Sequence, residues 1–192
     1  MKEVDVSTIT KSVRNLCIDA NYYLSEDVKK KIKECEDNEN WPTAKGILKK
    51  ILENIDISKN EHMPMCQDTG MACVFVTIGQ DVHVVGGSLE DAINEGVKQG
   101  YVVIYYEIVP GDKLNIKVAP KGFGSENMSQ IKMLKPADGL EGVKNFIIKV
   151  VKDAGPNPCP PIVVGVGIGG TFDRAANLAK KALVRPLSER NK

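Results

Sequence analysis

The chain has 192 residues, of which 42% are hydrophobic, so it is long enough to bury a core as one domain or two small ones. Its 26 basic and 25 acidic residues nearly cancel, which argues against a nucleic-acid or membrane-surface partner. No apolar run is long enough to cross a bilayer, and the first residues do not form a secretory signal. We therefore expect a soluble, cytoplasmic protein.

The first third of the chain has the periodicity of three amphipathic helices. Ser25 is a predicted N-cap for the second helix, and Pro42 is a predicted start for the third. Cys17 and Cys35 fall on the apolar faces of the first and second helices. We predict that both are core thiols.

The cysteines indicate free thiols or metal ligands. Their number is odd and they include no CxxC pair, which argues against disulfides and against a zinc ribbon or ferredoxin-type loop. The five are Cys17, Cys35, Cys66, Cys73 and Cys159.

A polar cluster precedes the most apolar run of the chain. The segment Cys66–Gly70 places a thiol, an amide, a carboxylate and a hydroxyl side by side, and residues 73–78 read as a buried strand in which Cys73 packs. Placing such polar groups next to a buried strand costs free energy unless a ligand binds them. The alternative is an ordinary loop, in which Asp68 and Thr69 cap backbone groups and Gly70 supplies a positive φ.

The middle of the chain alternates strand and helix signals. Residues 82–85 are a predicted strand, in which His83 is expected to face solvent, and a helix is predicted from Ser88 to about Gly100. Residues 102–109 and 114–118 are β-rich and are separated by a turn signature. We predict that these two runs form a β-hairpin.

A second polar loop follows this predicted hairpin. Gly122 and Gly124 let the backbone approach a ligand, while Lys121, Ser125 and Asn127 can hold carboxylate oxygens. The alternative is a connecting loop in which Ser125 caps a helix.

The last third contains the second unusual thiol. Residues 139–154 predict a long amphipathic helix, which is followed by Cys159 among prolines. A predicted strand at 162–166 then runs into the glycine loop 167–171 and a helix over 173–183. This order suits an anion at the helix N-terminus, although the dinucleotide fingerprint G-x-G-x-x-G does not fit strictly.

One enzyme group contains five of these segments in the same order: Cys66–Gly70, Glu107–Lys113, Lys121–Asn127, Asn157–Pro161 and Gly165–Thr171. They resemble the N-terminal (α) part of the class I, iron–sulfur fumarate hydratases and of the related L-tartrate dehydratases. The resemblance runs along nearly the whole chain. We expect an α+β fold in which the N-terminal helices pack on mixed sheet segments, with two lobes and a ligand cleft between loops.

The resemblance implies a hydro-lyase that hydrates fumarate reversibly to malate, with L-tartrate dehydration as the alternative. It also implies a 4Fe–4S cluster that serves as a Lewis acid and is held by three cysteines. Cys66 and Cys159 match two of these ligands, and the third lies in a region that this chain lacks. Thiolates suit iron clusters, and loop cysteines can point inward without distorting a helix.

The same resemblance assigns the contacts to the substrate. We expect Asp68 to pair with Lys121 and both to act in catalysis, because a lone charge beside a dianionic substrate is unfavourable. The residues that would contact the substrate are Gln67, Asp68, Gly122, Gly124, Ser125 and Asn127.

Residues 1–192 would then form one alpha part. Two segments of the family's alpha part would be missing from it: an internal polar stretch after Tyr101, and the C-terminal end. The resemblance implies a beta part or subunit and a dimer of alpha parts, with no turnover by this chain alone. Two alternatives stay open: a non-catalytic assembly module, and a phosphate-binding domain built on Gly165–Thr171. The absence of a Walker lysine counts against the second.

Overall fold

A computed structural model describes residues 1–68, 70–98 and 101–189 of the chain. The fold is α+β, as predicted. Thr69 and Gly100, which belong to predicted segments, lie outside the described residues. The helices are α1 Val6–Tyr22, α2 Glu26–Asn38, α3 Pro42–Glu61, α4 Leu89–Val97, α5 Phe123–Glu126, α6 Gly139–Ala154 and α7 Phe172–Leu183, with a 3-10 turn at Pro136–Asp138. The strands are β1 Lys2–Asp5, β2 Met71–Gly79, β3 Val82–Val85, β4 Tyr101–Val109 and β5 Leu114–Lys121.

The chain divides into two compact units. The first unit is Met1–Lys121 with Pro186–Lys192, and it contains α1 to α4 and β1 to β5. The second unit is Gly122–Arg185, and it contains α5 to α7. Within the described ranges, the helices are too short or too polar to span a membrane.

Strand β2 is the centre of a three-stranded sheet with the order β4–β2–β5. It pairs in parallel with β4 and antiparallel with β5. Every residue from Ala72 to Val76 is buried, and burial on both faces is typical of a central strand. The predicted hairpin of residues 102–118 is therefore wrong, because β2 lies between its two strands.

The connection between β4 and β5 crosses the end of β2. The backbone N–H of Gly79 donates to the Lys113 carbonyl at 2.8 Å, and the N–H of Gln80 donates to the Val109 carbonyl at 2.8 Å. The crossing spans two strand spacings, roughly 10 Å, which four residues can reach. A Cβ on Gly79 would lie only 2.2 Å from the carbonyl oxygen of Gly111, so a residue without a side chain is required there.

Helices α1 and α4 pack against this sheet and complete the core of the first unit. Ser88 caps α4 as predicted, since its side chain accepts a hydrogen bond from the Asp91 N–H at 3.3 Å. Strands β1 and β3 form a separate parallel pair in which His83 is exposed, as expected. The buried core residues are Ile9, Val13, Ala72, Val74, Val76, Ala92 and Ile93.

Helix α2 packs against α3 and buries none of its own residues. Cys35 is exposed, so its predicted place in the core is wrong, whereas Cys17 on α1 is half-buried against the core. The physical reason is composition: besides Cys35, only Val28 and Ile32 on α2 are apolar. Two apolar residues provide a narrow contact with α3, and Cys35 falls outside it.

In the second unit, residues 162–168 run along helix α7. A Cβ on Gly165 would lie 2.2 Å from the Ala179 carbonyl oxygen, and one on Gly167 would lie 2.1 Å from the Ala175 carbonyl oxygen. Four residues of a helix rise by about 6 Å, and the segment covers this distance in two residues. The segment is therefore extended. The predicted strand at 162–166 is nevertheless not paired with any strand of the described residues.

The close approach at Gly79 predicts a large effect of one methyl group. Gly79→Ala should lower the free energy of unfolding by about 1–3 kcal/mol, because the new Cβ overlaps the Gly111 carbonyl. Gly46→Ala is the matched control, since this α3 residue has nothing within 4 Å of an added Cβ. It should raise the free energy of unfolding by up to about 1 kcal/mol through better helix propensity.

Urea unfolding followed by circular dichroism measures both changes. A Gly79→Ala chain as stable as Gly46→Ala would contradict the close crossing of β2.

Candidate functional site

The predicted site residues belong to both units: Lys121 ends β5, Gly124 and Ser125 lie in the short helix α5, and the others lie in loops or at helix ends. Cys66, Gln67 and Asp68 are exposed and lie between α3 and β2 in the first unit. Gly70 has a φ of 51°, the positive value expected by the ordinary-loop alternative for this segment. Cys159 is exposed and lies between α6 and α7 in the second unit.

The residue before Cys66 is held by helices on two sides. The backbone N–H of Met65 donates to the Asn21 carbonyl of α1 at 3.0 Å. The side-chain amide of Asn54 on α3 donates to the Met65 carbonyl at 3.0 Å. The exposed thiol therefore follows a backbone segment whose donor and acceptor are both satisfied.

The Cys66 sulfur accepts a hydrogen bond from the backbone N–H of Asp68 at 3.4 Å, and its S–H points to Oε1 of Gln67 at 3.8 Å. Donors to a cysteine sulfur are a recurring feature of thiolate ligands, because they adjust the charge that the sulfur carries. Exposure together with an N–H donor makes Cys66 a chemically suitable ligand.

Cys159 has an uncommon backbone conformation. Its φ of 55° lies in the left-handed region, which residues with a side chain rarely adopt outside turns and functional loops. Its N–H donates to the Pro156 carbonyl at 3.0 Å, which closes a tight turn. This turn presents the thiol at the surface of the second unit.

The polar loop after Lys121 lies beside the segment that leads to Cys159. A Cβ on Gly124 would lie 2.9 Å from the Asn157 carbonyl oxygen, and the Asn157 side-chain amide lies 3.6 Å from the sulfur of Met128. The Ser125 hydroxyl donates to the Gly122 carbonyl at 3.1 Å, and Gly122 is the N-cap of α5. The structure thus brings two predicted motifs together and excludes Ser125 as the helix cap.

An ion pair that the sequence did not indicate lies in the second unit. Lys180 on α7 pairs with Glu126 on α5, and their side chains are only 17% and 23% exposed. The two residues are 54 positions apart, so no local spacing could have related them. The pair ties the polar loop to α7.

The N-terminus of α7 does not support the phosphate-binding alternative. The Thr171 hydroxyl donates to the Asp173 carboxylate, which holds the pKa of Asp173 below its usual value. A carboxylate already occupies the position where a helix favours an anion. The neighbouring cavity of about 510 Å³ is lined mainly by apolar residues of α6 and residues 164–172.

The chain supplies two loop thiols of the expected kind but no third. Burial raises the pKa of the Cys17 thiol on α1, Cys73 is buried in β2, and Cys35 lies on a helix. Across the described residues, no three cysteine, histidine, aspartate or glutamate side chains gather into a metal site. The residues present therefore do not complete a three-cysteine cluster site by themselves.

The family model for fumarate hydratase (Fumerase) matches residues 10–103 and 102–192. The chain belongs to this family. Its members are hydro-lyases that depend on an iron–sulfur cluster. The two matched ranges overlap at residues 102–103, next to Tyr101, after which the sequence predicts a missing stretch.

Two relatives are named as tartrate dehydratase subunits. The protein named "Putative L(+)-tartrate dehydratase subunit alpha" from Methanocaldococcus jannaschii is 39% identical over 96% of this chain and 75% of its own length. The "L(+)-tartrate dehydratase subunit alpha" of Escherichia coli is 29% identical over 99% of this chain and 71% of its own length. The first alignment spans 213 positions, more than the 192 residues of this chain, so that relative has residues without a counterpart here.

The exposure of the thiols predicts their order of reactivity. Brief treatment of the native chain with iodoacetamide should label Cys66, Cys159 and Cys35 well before Cys17 and Cys73, because the first three are exposed. Mass spectrometry of the digested protein measures the labelled fraction at each site. Labelling of Cys35 as slow as that of Cys73 would mean that α2 is covered in solution.

Proposed function

We propose that the chain is the alpha part of a hydro-lyase that interconverts fumarate and malate. The observation that carries this proposal is the exposed Cys66-Gln67-Asp68 segment, held at its base by α1 and α3, in a chain of the fumarate hydratase family. Dehydration of L-tartrate is the second candidate, which the names of the relatives favour.

The two candidate reactions have the same chemical requirements. Malate and tartrate are small dicarboxylates whose hydroxyl group lies β to a removable proton. A bound iron–sulfur cluster would supply the Lewis acid that helps the hydroxyl leave. We assign Cys66 and Cys159 as two of the three cysteine ligands, with the third from outside this chain.

The remaining site residues would bind the carboxylates of the substrate. Gln67 and Asp68 adjoin the ligand thiol, and Gly122, Gly124 and Asn127 offer backbone or amide donors. Ser125 is constrained, because a hydroxyl has one hydrogen and this one already bonds to the Gly122 carbonyl. Ser125 can donate to a substrate only after it leaves that carbonyl.

Asp68 needs a compensating charge beside a dianionic substrate. We assign this role to Lys121, the last residue of β5, which belongs to the same unit. Paired in this way, the Asp68 carboxylate can accept the hydrogen bond of the substrate hydroxyl without an isolated negative charge.

We further propose that a beta subunit completes the enzyme, because both relatives are named alpha subunits. Alpha parts would form a dimer in a cytoplasmic enzyme. The chain without its partner should not turn over substrate, which fits its incomplete ligand set.

Removal of single thiols tests the ligand assignment. In the complex purified anaerobically through this chain, Cys66→Ser and Cys159→Ser should each lower bound iron several-fold, because a hydroxyl is a poor ligand for iron clusters. Cys35→Ser is the matched control, since Cys35 is also exposed but lies on a helix. Iron and acid-labile sulfide analysis gives the readout. Equal iron content in all three variants would favour the non-catalytic assembly module.

A second substitution tests the role of Asp68. Asp68→Asn in the same complex should lower turnover of fumarate by about 100-fold or more with nearly unchanged iron content. Asp81→Asn, at an exposed aspartate in a turn of the same unit, should leave both unchanged. Steady-state rates with fumarate and with L-tartrate decide between the two candidate substrates. Loss of iron with normal turnover per iron would mean that Asp68 only supports its loop.

A further inference from the structure

Ser58 is the only polar residue that is fully buried among residues 1–68, 70–98 and 102–189. It lies on α3 and is 2% exposed. A buried hydroxyl requires a hydrogen-bond partner, and the single hydrogen of this one is shared between two acceptors: the Met63 carbonyl at 2.6 Å and, more weakly, the Tyr22 carbonyl at 3.2 Å. Tyr22 is the last residue of α1, so Ser58 links that helix end to the chain that leaves α3.

The bond between Ser58 and Met63 is reciprocal. The Met63 N–H donates to the Ser58 carbonyl at 3.2 Å, while the Ser58 hydroxyl donates to the Met63 carbonyl. Two residues further on, Met65 is held in the same way, by the Asn21 carbonyl and the Asn54 side chain. We call residues 63–65 the stem of the Cys66 loop.

The stem has little freedom between these two anchors. Its middle residue is Pro64, whose ring fixes φ. Asn21 is itself held, because its side-chain amide donates to the Cys17 carbonyl at 2.8 Å. The next residue, Cys66, is exposed and inherits its direction from this stem.

We infer that Ser58 and Asn54 are positioning residues for Cys66, and that they set the direction in which its thiol is presented as a ligand. The ligand role rests on the proposed function, whereas the anchoring rests on the hydrogen bonds above. Groups that orient a metal ligand commonly change metal affinity by 10- to 100-fold when they are removed. A polar residue buried beneath a loop, rather than an apolar one, is expected where that loop must keep one orientation.

The first experiment uses the full chain without metal. Amide hydrogen exchange by NMR should become about tenfold faster or more at Met65 and Asp68 in Ser58→Ala and in Asn54→Asp. The Asp68 amide reports on Cys66 directly, because it donates to the sulfur. Ser58→Thr keeps a hydroxyl and should restore slow exchange. Asn60→Ala, at an exposed asparagine of the same helix, should have no effect.

The second experiment uses the iron-loaded complex. Ser58→Ala and Asn54→Asp should speed the loss of iron to a chelator by about 10- to 100-fold, and Asn60→Ala should not. A lower melting temperature with unchanged exchange at Met65 and Asp68 would overturn the inference, because Ser58 would then only stabilise the helix junction. Faster exchange with unchanged iron loss would also overturn it.

The two experiments test the proposed function and the positioning role independently of each other. A wild-type complex without iron would refute the proposed function, while the exchange rates would still decide whether these residues hold the loop. The exposed Asn54 position keeps the test decisive if Ser58→Ala does not fold.

Discussion

The fold depends on one strand that must be covered on both faces. Strand β2 carries apolar residues almost without interruption, so neither of its faces can be left in water. Its central place forces β4 and β5 to opposite sides and sends their connection across its end. The same constraint places the Cys66 loop, because this loop leads directly into β2 from the end of α3.

Local features of the sequence predicted local structure well. The proline at the start of α3, the serine cap of α4 and the positive φ of Gly70 all depend on groups within a few residues of each other. The errors concern pairing at a distance. The turn signature at Pro110–Asp112 is compatible with a hairpin, and only the pairing of both strands with β2 shows why none forms. Cys35 shows the same limit, since a helical stripe does not reveal how wide the covering surface is.

In the candidate site, too, local motifs could be predicted from the sequence and distant contacts could not. The motifs around Cys66 and Cys159 are visible in the sequence because they combine reactive side chains with glycine and proline. The residues that support the Cys66 loop cannot be recognised in the sequence. Asn21, Asn54 and Ser58 look like ordinary polar helix residues until α1 and α3 are placed side by side. Lys180 is a similar case, as its partner lies far away in the chain. Candidate ligands can be proposed from residue chemistry, whereas the residues that would orient them depend on tertiary contacts.

The extended segment along α7 has a consequence for how this protein behaves in a cell. Residues 162–168 contain only valine, isoleucine and glycine, and four of the side chains are exposed: Val163, Val164, Val166 and, at 66%, Ile168. Such a run, rich in β-branched residues and free of charge and proline, is prone to join with like segments of other molecules. In the cell, chains in which this segment stays uncovered are therefore expected to aggregate through it as their concentration rises.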